Sequence, residues 1–437
     1  TVTRTNHWSP PGCHNGCGVL LSVDKDGKLV HIEGDPLAPF NGGKLCMRCL
    51  DMVEAVNHPD RLKYPLKRAG ERGENKWERI TWDEAYDIIE AKVREIHEKY
   101  GYEYIATFQG TGRVATLYAP SLAFAALQTP NAGSVLAGES CYGPRCCVAN
   151  FILGAGYPEL DYAAFFPERY DDPRYKVPEY IVIWGKNPLY SNPDGLFGHA
   201  IIDLQKRGSK FIVIDPRITW CAAHAAYHLQ LRPGTDAALG LGIANIIIQE
   251  DLYDHEFVEK WTYGFEALAE RVADKTPEWA EPICDVPADR IRGAARLIAT
   301  ASSCACQWGL AFEQQIAALG VTESVADIMA ITGNIDNPGG NALYRCAFLI
   351  EKRYGLGDFK IPREEYAGKM TLSAGIESSD IVACAATDPL LHAVETGDPF
   401  QPQMLGGGQE DGRRSTTQNV AGAAAFAAAV AQAEGRV

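Results

Sequence analysis

Residues 180–217 read YIVIWGKNPLYSNPDGLFGHAIIDLQKRGSKFIVIDPR, and residues 231–236 read LRPGTD. Two short apolar runs, at 180–184 and 211–214, are continuous and rich in β-branched residues, the pattern of strands buried on both faces. Each stops at a polar turn that contains Gly or Pro. Between them, residues 198–207 have helical spacing and end at Gly208, which suits a helix C-cap. The spacing predicts a parallel strand–helix–strand crossover of about 30 residues. Ligands of such units sit beyond the carboxyl ends of the strands. Those ends carry Gly185-Lys186-Asn187 and Asp215-Pro216-Arg217, and the whole reads as a nucleotide cradle. Arg232-Pro233-Gly234-Thr235-Asp236 then leads into a helix over 237–249. Its N-terminus suits a phosphate, and a plain capped helix explains the same residues equally well.

The chain has 437 residues, room for two to four domains, with 46% apolar and 22% charged residues, as in ordinary globular proteins. A net charge of −15 argues against a general nucleic-acid binder and against an anionic membrane surface. No apolar run reaches the ~18 residues of a membrane-spanning helix, so no direct membrane insertion is expected. The chain begins at Thr1, so a leader removed beforehand leaves cytoplasmic and exported locations equally open. Thirteen cysteines include two close doublets, Cys13/Cys17 and Cys46/Cys49, and a cluster at Cys141, Cys146 and Cys147. In a chain this long a disulfide framework is out of place, and the doublets read as metal ligands. The other thiols read as small buried hydrophobes.

Residues 18–23 and 29–33 read as strands joined by a hairpin turn at Asp24-Lys25-Asp26-Gly27. That hairpin brings Cys13, Cys17 and Cys46 together, and the C-x3-C…C-x2-C spacing suits zinc or an iron–sulfur cluster. Thr81 and Glu84 form a capping box for a helix over 82–100. A strand is expected at 104–108, running into Gly110-Thr111-Gly112, and a helix at 117–128. Cys141 falls in a Gly/Pro-rich turn with Arg145 nearby, where it reads as a reactive thiolate, a metal ligand or an incidental loop thiol. A helix at 289–300, a strand at 303–308 and a helix at 322–332 continue the alternation of a parallel α/β sheet. Beyond about Leu405 the text is rich in Gly, Ala and polar residues and reads as a linker or non-native tail.

Six ordered motifs resemble the molybdopterin oxidoreductases of the dimethyl sulfoxide reductase superfamily. They are Cys13-His14-Asn15-Gly16-Cys17-Gly18, Gly43-Lys44-Leu45-Cys46-Met47-Arg48, Trp184-Gly185-Lys186-Asn187-Pro188, Ile214-Asp215-Pro216-Arg217, Arg232-Pro233-Gly234-Thr235-Asp236, and Thr332-Gly333-Asn334 with Pro338-Gly339-Gly340. The resemblance spans residues 1–403. Within the superfamily, residues 12–18, Cys46-Met47-Arg48-Cys49 and Glu139-Ser140-Cys141 look like the acetylene hydratase, pyrogallol transhydroxylase and catechol dehydroxylase branch. The resemblance implies an α/β fold: a small N-terminal β iron–sulfur unit over 1–65, then parallel-sheet domains. These are a discontinuous domain from 66–170 and 342–403, and a guanine dinucleotide domain over 171–341. The remainder, 404–437, is a disordered tail, and the family's C-terminal β-barrel domain is missing.

The same resemblance implies a bis-molybdopterin guanine dinucleotide cofactor with molybdenum or tungsten, and a [4Fe–4S] cluster. Cys13, Cys17 and Cys46 match cluster ligands, Arg48 the cation between cluster and pterin, and Cys141 the protein ligand to the metal. Trp184, Gly185, Asn187, Asp215 and Arg217 match one part of the nucleotide site, and Arg232, Gly234, Thr235 and Asp236 another. The family's further cluster cysteine would fall at position 10, which is Pro10. His7 and Cys49 are the candidates for the fourth ligand, and a chain that forms no cluster is the remaining alternative. His14 stands beside a cluster cysteine, where it suits proton transfer. The implied activity is an oxygen-atom transfer or reductive dehydroxylation of a small phenolic substrate in anaerobic metabolism, with electrons from an iron–sulfur partner subunit. A non-redox hydratase or transhydroxylase is the alternative, and an inactive truncated fragment is the third reading, because nothing after Gln403 matches the family.

Overall fold

A computed structural model describes residues 1–7, 16–38, 41–109, 122–129, 131–134, 152–153, 158–160, 175–191 and 197–343. Among these, one compact unit draws on 1–35 and 47–135, and a second on 36–46 and 136–347.

The first unit opens with a three-stranded antiparallel sheet of β1 (Val2–His7), β2 (Cys17–Val23) and β3 (Leu29–Gly34), with β2 in the middle. The expected hairpin is present, and Gly27 supplies the positive φ of +81° that its turn requires. Helices α1 (Met47–Leu50) and α2 (Met52–Asn57) pack against β3, and Asn57 donates from Nδ2 to the Leu29 carbonyl at 2.8 Å. A small ribbon of β4 (Leu66–Arg68) and β5 (Trp77–Arg79) precedes α3 (Trp82–Lys99). The capping box at the start of α3 is realised on one side: Thr81 Oγ1 accepts from the Glu84 amide at 3.1 Å. A single 3₁₀ turn at Tyr102–Tyr104 displaces the next strand, so β6 is Ala106–Gln109 rather than 104–108, and it pairs in parallel with β7 (Asn131–Ser134). Of the helix expected at 117–128, residues 117–121 lie outside the described residues, and Leu122–Ala126 form one π-helical turn.

The second unit is built on four parallel strands. After β8 (Pro158–Leu160) come β9 (Tyr180–Trp184), α4 (Pro188–Ser191), α5 (Phe197–Lys206), β10 (Lys210–Ile214), α6 (Trp220–Ala223) and β11 (Tyr227–Leu229). The crossover expected from the sequence is thus present. Helices α7 (Asp236–Gln249), α8 (His255–Trp261), α9 (Phe265–Val272), α10 (Pro277–Cys284) and α11 (Ala288–Thr300) follow. Then come β12 (Cys304–Trp308), α12 (Ala318–Ile331) and β13 (Asn341–Leu343). Strand order is β11-β10-β9-β12. Alternate residues feed two cores, as a strand's period of two demands. Val182, Ile212 and Cys306 face α7, α11 and α12, whereas Ile181, Ile183 and Val213 face α5 and α6. Helix α12 starts four residues before the expected 322, and its added turn places Val321 in the first core.

β12 is an edge strand of this sheet, and its outward amides are answered by side chains. Asn334 Oδ1 accepts from the Cys304 amide at 2.9 Å. Asn341 Oδ1 accepts from the Cys306 amide at 2.7 Å, and its Nδ2 donates to the Cys306 carbonyl at 2.9 Å. The Thr332-Gly333-Asn334 motif therefore serves the fold, closing an edge that would otherwise leave buried backbone groups unpaired.

Candidate nucleotide and cluster sites

The four parallel strands end level. Trp184 pairs with Ile214 on one side and Trp308 on the other, and Ile214 pairs with Leu229. Gln230, Asp215, Gly185 and Gly309 are thus the first residues beyond the sheet, in that order across it. The chain runs outward from β9 through β10 to β11, and only later places β12 on the far side of β9. The direction of winding reverses between Gly185 and Gly309, which is where such sheets open a crevice for ligands.

At that point the strand ends are packed backbone against backbone. Gly185 has a φ of +61°, and a Cβ there would come within 2.8 Å of Ala311 Cβ. A Cβ on Gly309 would lie 2.6 Å from the Gly185 carbonyl oxygen and 2.9 Å from Lys186 Cβ. Gly309→Ala is expected to cost about 1–3 kcal/mol through overpacking against backbone that has no room to move. The check is chemical denaturation, and a loss below about 0.5 kcal/mol would contradict the close approach.

Asp215 is the group at this edge best placed to bind. Its side chain is only 3% exposed. Oδ1 accepts from the Arg217 amide at 2.8 Å and lies 3.4 Å from Arg217 Nε, while Oδ2 accepts from no described residue. The next strand holds the loop: Gln230 Nε2 donates to the Pro216 carbonyl at 2.8 Å, and His228 Nε2 lies 2.9 Å from the Asp215 carbonyl. Burial, with the Asp215 charge as the second cause, pushes the Cys221 thiol up to about 11, so that cysteine is an inert core thiol. Asn187 is half-buried. Its carbonyl accepts from the Tyr190 and Ser191 amides at the start of α4, and its side-chain amide bonds to no described residue.

Other expected contacts have different tasks. Trp184 is 1% exposed, and its indole N–H donates to Asp236 Oδ1 at 2.8 Å. Its ring packs edge-on to Phe312, with centroids 5.4 Å apart. Asp236 is itself buried and also accepts from Gln315 Nε2 at 3.1 Å. Burial raises its pKa, and the bonds from Trp184 and Gln315 oppose that rise. This pair joins the end of β9 to the start of α7, so both residues are anchors of the crevice rather than open contacts. Arg232 is clamped by Asp285 through Nε (2.8 Å) and Nη2 (2.7 Å), and Thr235 Oγ1 donates to the Arg232 carbonyl at 2.6 Å. Gly234 completes this turn at φ +82°. Reading the sequence missed Gly309, Gln315, Gln230 and Asp285. Only Gly309 carried a signal, as the residue ending a strand.

In the first unit Cys17 and Cys49 are each 1% exposed, and Cys46, in the second unit, is 4% exposed. Arg48 is half-buried on α1. Cys13, His14 and Cys141 lie outside the described residues, as do Tyr142 and Arg145. A cavity of about 460 Å³ lined by Tyr253, Asp254, Ser302, Thr332 and Gly333 lies at the amino end of β12. That is the opposite end of the sheet from the crevice, so it is no part of this site.

The molybdopterin oxidoreductase family matches residues 61–377, and its Fe4S4 domain matches residues 10–58. The chain belongs to the molybdopterin oxidoreductases. It is 32% identical over 347 residues to the thiosulfate reductase molybdopterin-containing subunit PhsA of Salmonella typhimurium, covering 78% of this chain and 43% of that one. It is 34% identical to acetylene hydratase of Syntrophotalea acetylenica, covering 74% and 43%. With dopamine dehydroxylase of Eggerthella lenta it shares 35% identity, covering 56% and 23%. The solved structure of acetylene hydratase from Pelobacter acetylenicus superposes with a TM-score of 0.64 at 32% identity, covering 78% of this chain and 45% of that one. The chain thus spans less than half the length of these relatives.

Membership brings a molybdopterin and a [4Fe–4S] cluster as the cofactors of this enzyme family. Cys17, Cys46 and Cys49 are buried soft donors of the kind that iron takes, but among the described residues no group of three or more His, Cys, Asp or Glu is placed to hold a metal ion. At the carboxyl edge of the sheet, beside the reversal of winding, Asp215 offers an oxygen that no described donor takes, which fits the nucleotide end of a molybdopterin.

Proposed function

We propose that the carboxyl edge of the parallel sheet holds the guanosine end of a bis-molybdopterin guanine dinucleotide cofactor carrying molybdenum or tungsten. The observation that carries this reading is Asp215: a carboxylate 3% exposed, with Oδ2 unbonded to any described residue, at the carboxyl edge of the sheet where the winding reverses. A carboxylate so placed accepts from both hydroxyls of a ribose, and the Asn187 amide suits a base edge. Arg217, exposed beyond Asp215, supplies positive charge for a phosphate. Asp215→Asn is expected to weaken binding of guanosine diphosphate by about 30-fold, in line with a charge-assisted hydrogen bond. Titration calorimetry on the purified chain measures it, and unchanged affinity would remove Asp215 from the site.

The cofactor supplies two-electron chemistry at its metal. The reaction we assign is reductive dehydroxylation of a small phenolic substrate: R–OH takes two electrons and two protons and leaves as R–H and water. The 35% identity to dopamine dehydroxylase supports that substrate class. Cys141 is the proposed protein ligand to the metal, His14 the proton donor, and Arg48 the cation between cluster and pterin. Electrons come from an iron–sulfur partner, in keeping with the word "subunit" in the name of PhsA. No helix among the described residues is long and apolar enough to cross a membrane.

The superposition on acetylene hydratase favours a second reading, in which water adds to an unsaturated bond with no net electron transfer. Electron balance separates the two. Turnover that consumes reduced viologen in proportion to product supports the dehydroxylase, and turnover without a reductant supports the hydratase.

A further inference from the structure

The loop that carries Asp215 leaves the sheet at a weak point. Pro216 has no N–H, so the ladder between β10 and β11 stops at Asp215. Its last bond, from the Asp215 amide to the Leu229 carbonyl, is 3.3 Å long, beyond the usual range. Side chains then take the next two carbonyls. His228 Nε2 lies 2.9 Å from the Asp215 oxygen, and Gln230 Nε2 donates to the Pro216 oxygen at 2.8 Å. A carbonyl only accepts, so His228 Nε2 carries the hydrogen. Alternation along the strand explains why these two residues act together. Leu229 and Leu231 lie in the first core, which leaves His228 and Gln230 on the opposite face. β11 is itself an outer strand of three residues, and α11 steadies it. Arg290 Nη2 donates to the His228 carbonyl at 2.8 Å, with its guanidinium 3.9 Å from the centroid of the Tyr227 ring. The main chain at Asp215 is thus held from α11 through β11. The Asp215 carboxylate is held at Oδ1 by the Arg217 amide, which belongs to the same loop. Where Oδ2 points therefore depends on where that loop is fixed.

We propose that His228 and Gln230 are positioning residues of the nucleotide site, setting guanosine nucleotide affinity by holding the main chain that aims Asp215 Oδ2. This rests on the reading of Asp215 as the nucleotide carboxylate. Gln230 is exposed and His228 half-buried, and the role asks for no contact between either and the ligand. Affinity gained this way comes from a loop that is ordered before the ligand arrives.

The test is calorimetric titration of the full chain with guanosine diphosphate. His228→Phe keeps a flat ring and removes the donor, and Gln230→Met keeps the length and removes the donor. Each is expected to weaken binding about fivefold, the equivalent of one net hydrogen bond. His228→Gln keeps an N–H at similar reach and should stay within about twofold of the wild type. A double-mutant cycle separates aiming from general loosening: in an Asp215→Asn background, His228→Phe should cost less than about twofold. Equal losses in the two backgrounds overturn the proposal. So does unchanged affinity in His228→Phe and Gln230→Met where Asp215→Asn weakens binding, and that result leaves the Asp215 reading standing. Should His228→Phe fail to fold, Gln230→Met, at an exposed position, carries the same cycle. A wild-type chain that binds no guanosine diphosphate, or one whose affinity Asp215→Asn leaves unchanged, overturns the Asp215 reading and this role with it.

Discussion

Replacing Asn341 with alanine is expected to lower the stability of the parallel-sheet unit by about 2–5 kcal/mol, because two buried backbone groups lose their partners together. Asn341 is 1% exposed, and its side chain pairs with Cys306 as a neighbouring strand would, one bond to the amide and one to the carbonyl. Its own backbone is held as well, donating to the Asn334 carbonyl and accepting from the Asp336 amide, each at 2.8 Å. Water has little access to the Cys306 edge, since that residue is also 1% exposed. Truncation therefore leaves a donor and an acceptor without replacement. Urea unfolding followed by fluorescence measures the loss. Trp308, at the end of the same strand, is one of the eight tryptophans that report it. A loss below about 0.5 kcal/mol would mean that the clamp contributes nothing beyond solvent exchange. Asn341→Asp should be no milder, because it removes the donor to Cys306 and buries a charge.

The clamp also shows where sequence reading reaches its limit. The Thr332-Gly333-Asn334 motif was legible as a mark of the family, but its task was not. Nothing along the chain says that Asn334 and Asn341 meet alternate residues of one strand. What was legible was local: the apolar runs of β9 and β10, the Asp24–Gly27 turn and the Thr81 cap each depend on neighbours a few residues away. β1 was not legible, because five of its six residues are exposed and carry no apolar alternation. Helices α8 to α10 are short, and α10 contains Pro282, so no long period announces them. In the site, Asp215 and Gly185 were legible as strand-end residues. That Trp184 and Asp236 bond to each other and are buried was not legible, because one ends a strand and the other starts a helix 52 residues on.

The second large effect expected is on pH dependence, and it centres on Asp327 of α12. Burial, with Glu323 one turn away as the second cause, pushes its carboxyl up to about 8. In an unfolded chain the same group titrates near ~3.9. Between those values the folded chain keeps a proton that the unfolded chain has released. Stability from this group is therefore intact below about pH 4 and declines as pH rises towards about 8. Asp327 keeps part of its surface in water, which trims the effect to about 2–3 kcal/mol over that range. Glu323 bends the same way: burial raises it, and Arg271 of α9 opposes the rise. The expected result is that Asp327→Asn matches the wild type near pH 4 and exceeds it by about 2–3 kcal/mol at pH 8. Urea midpoints at the two pH values decide it, and parallel curves for the two proteins would refute it. The consequence reaches the proposed nucleotide site, because α12 runs from the loop at Gly309–Gln315, next to the sheet edge, to the clamp at Asn334. A chain that loosens along α12 at alkaline pH should lose guanosine nucleotide affinity over the same range, and Asp327→Asn should retain it.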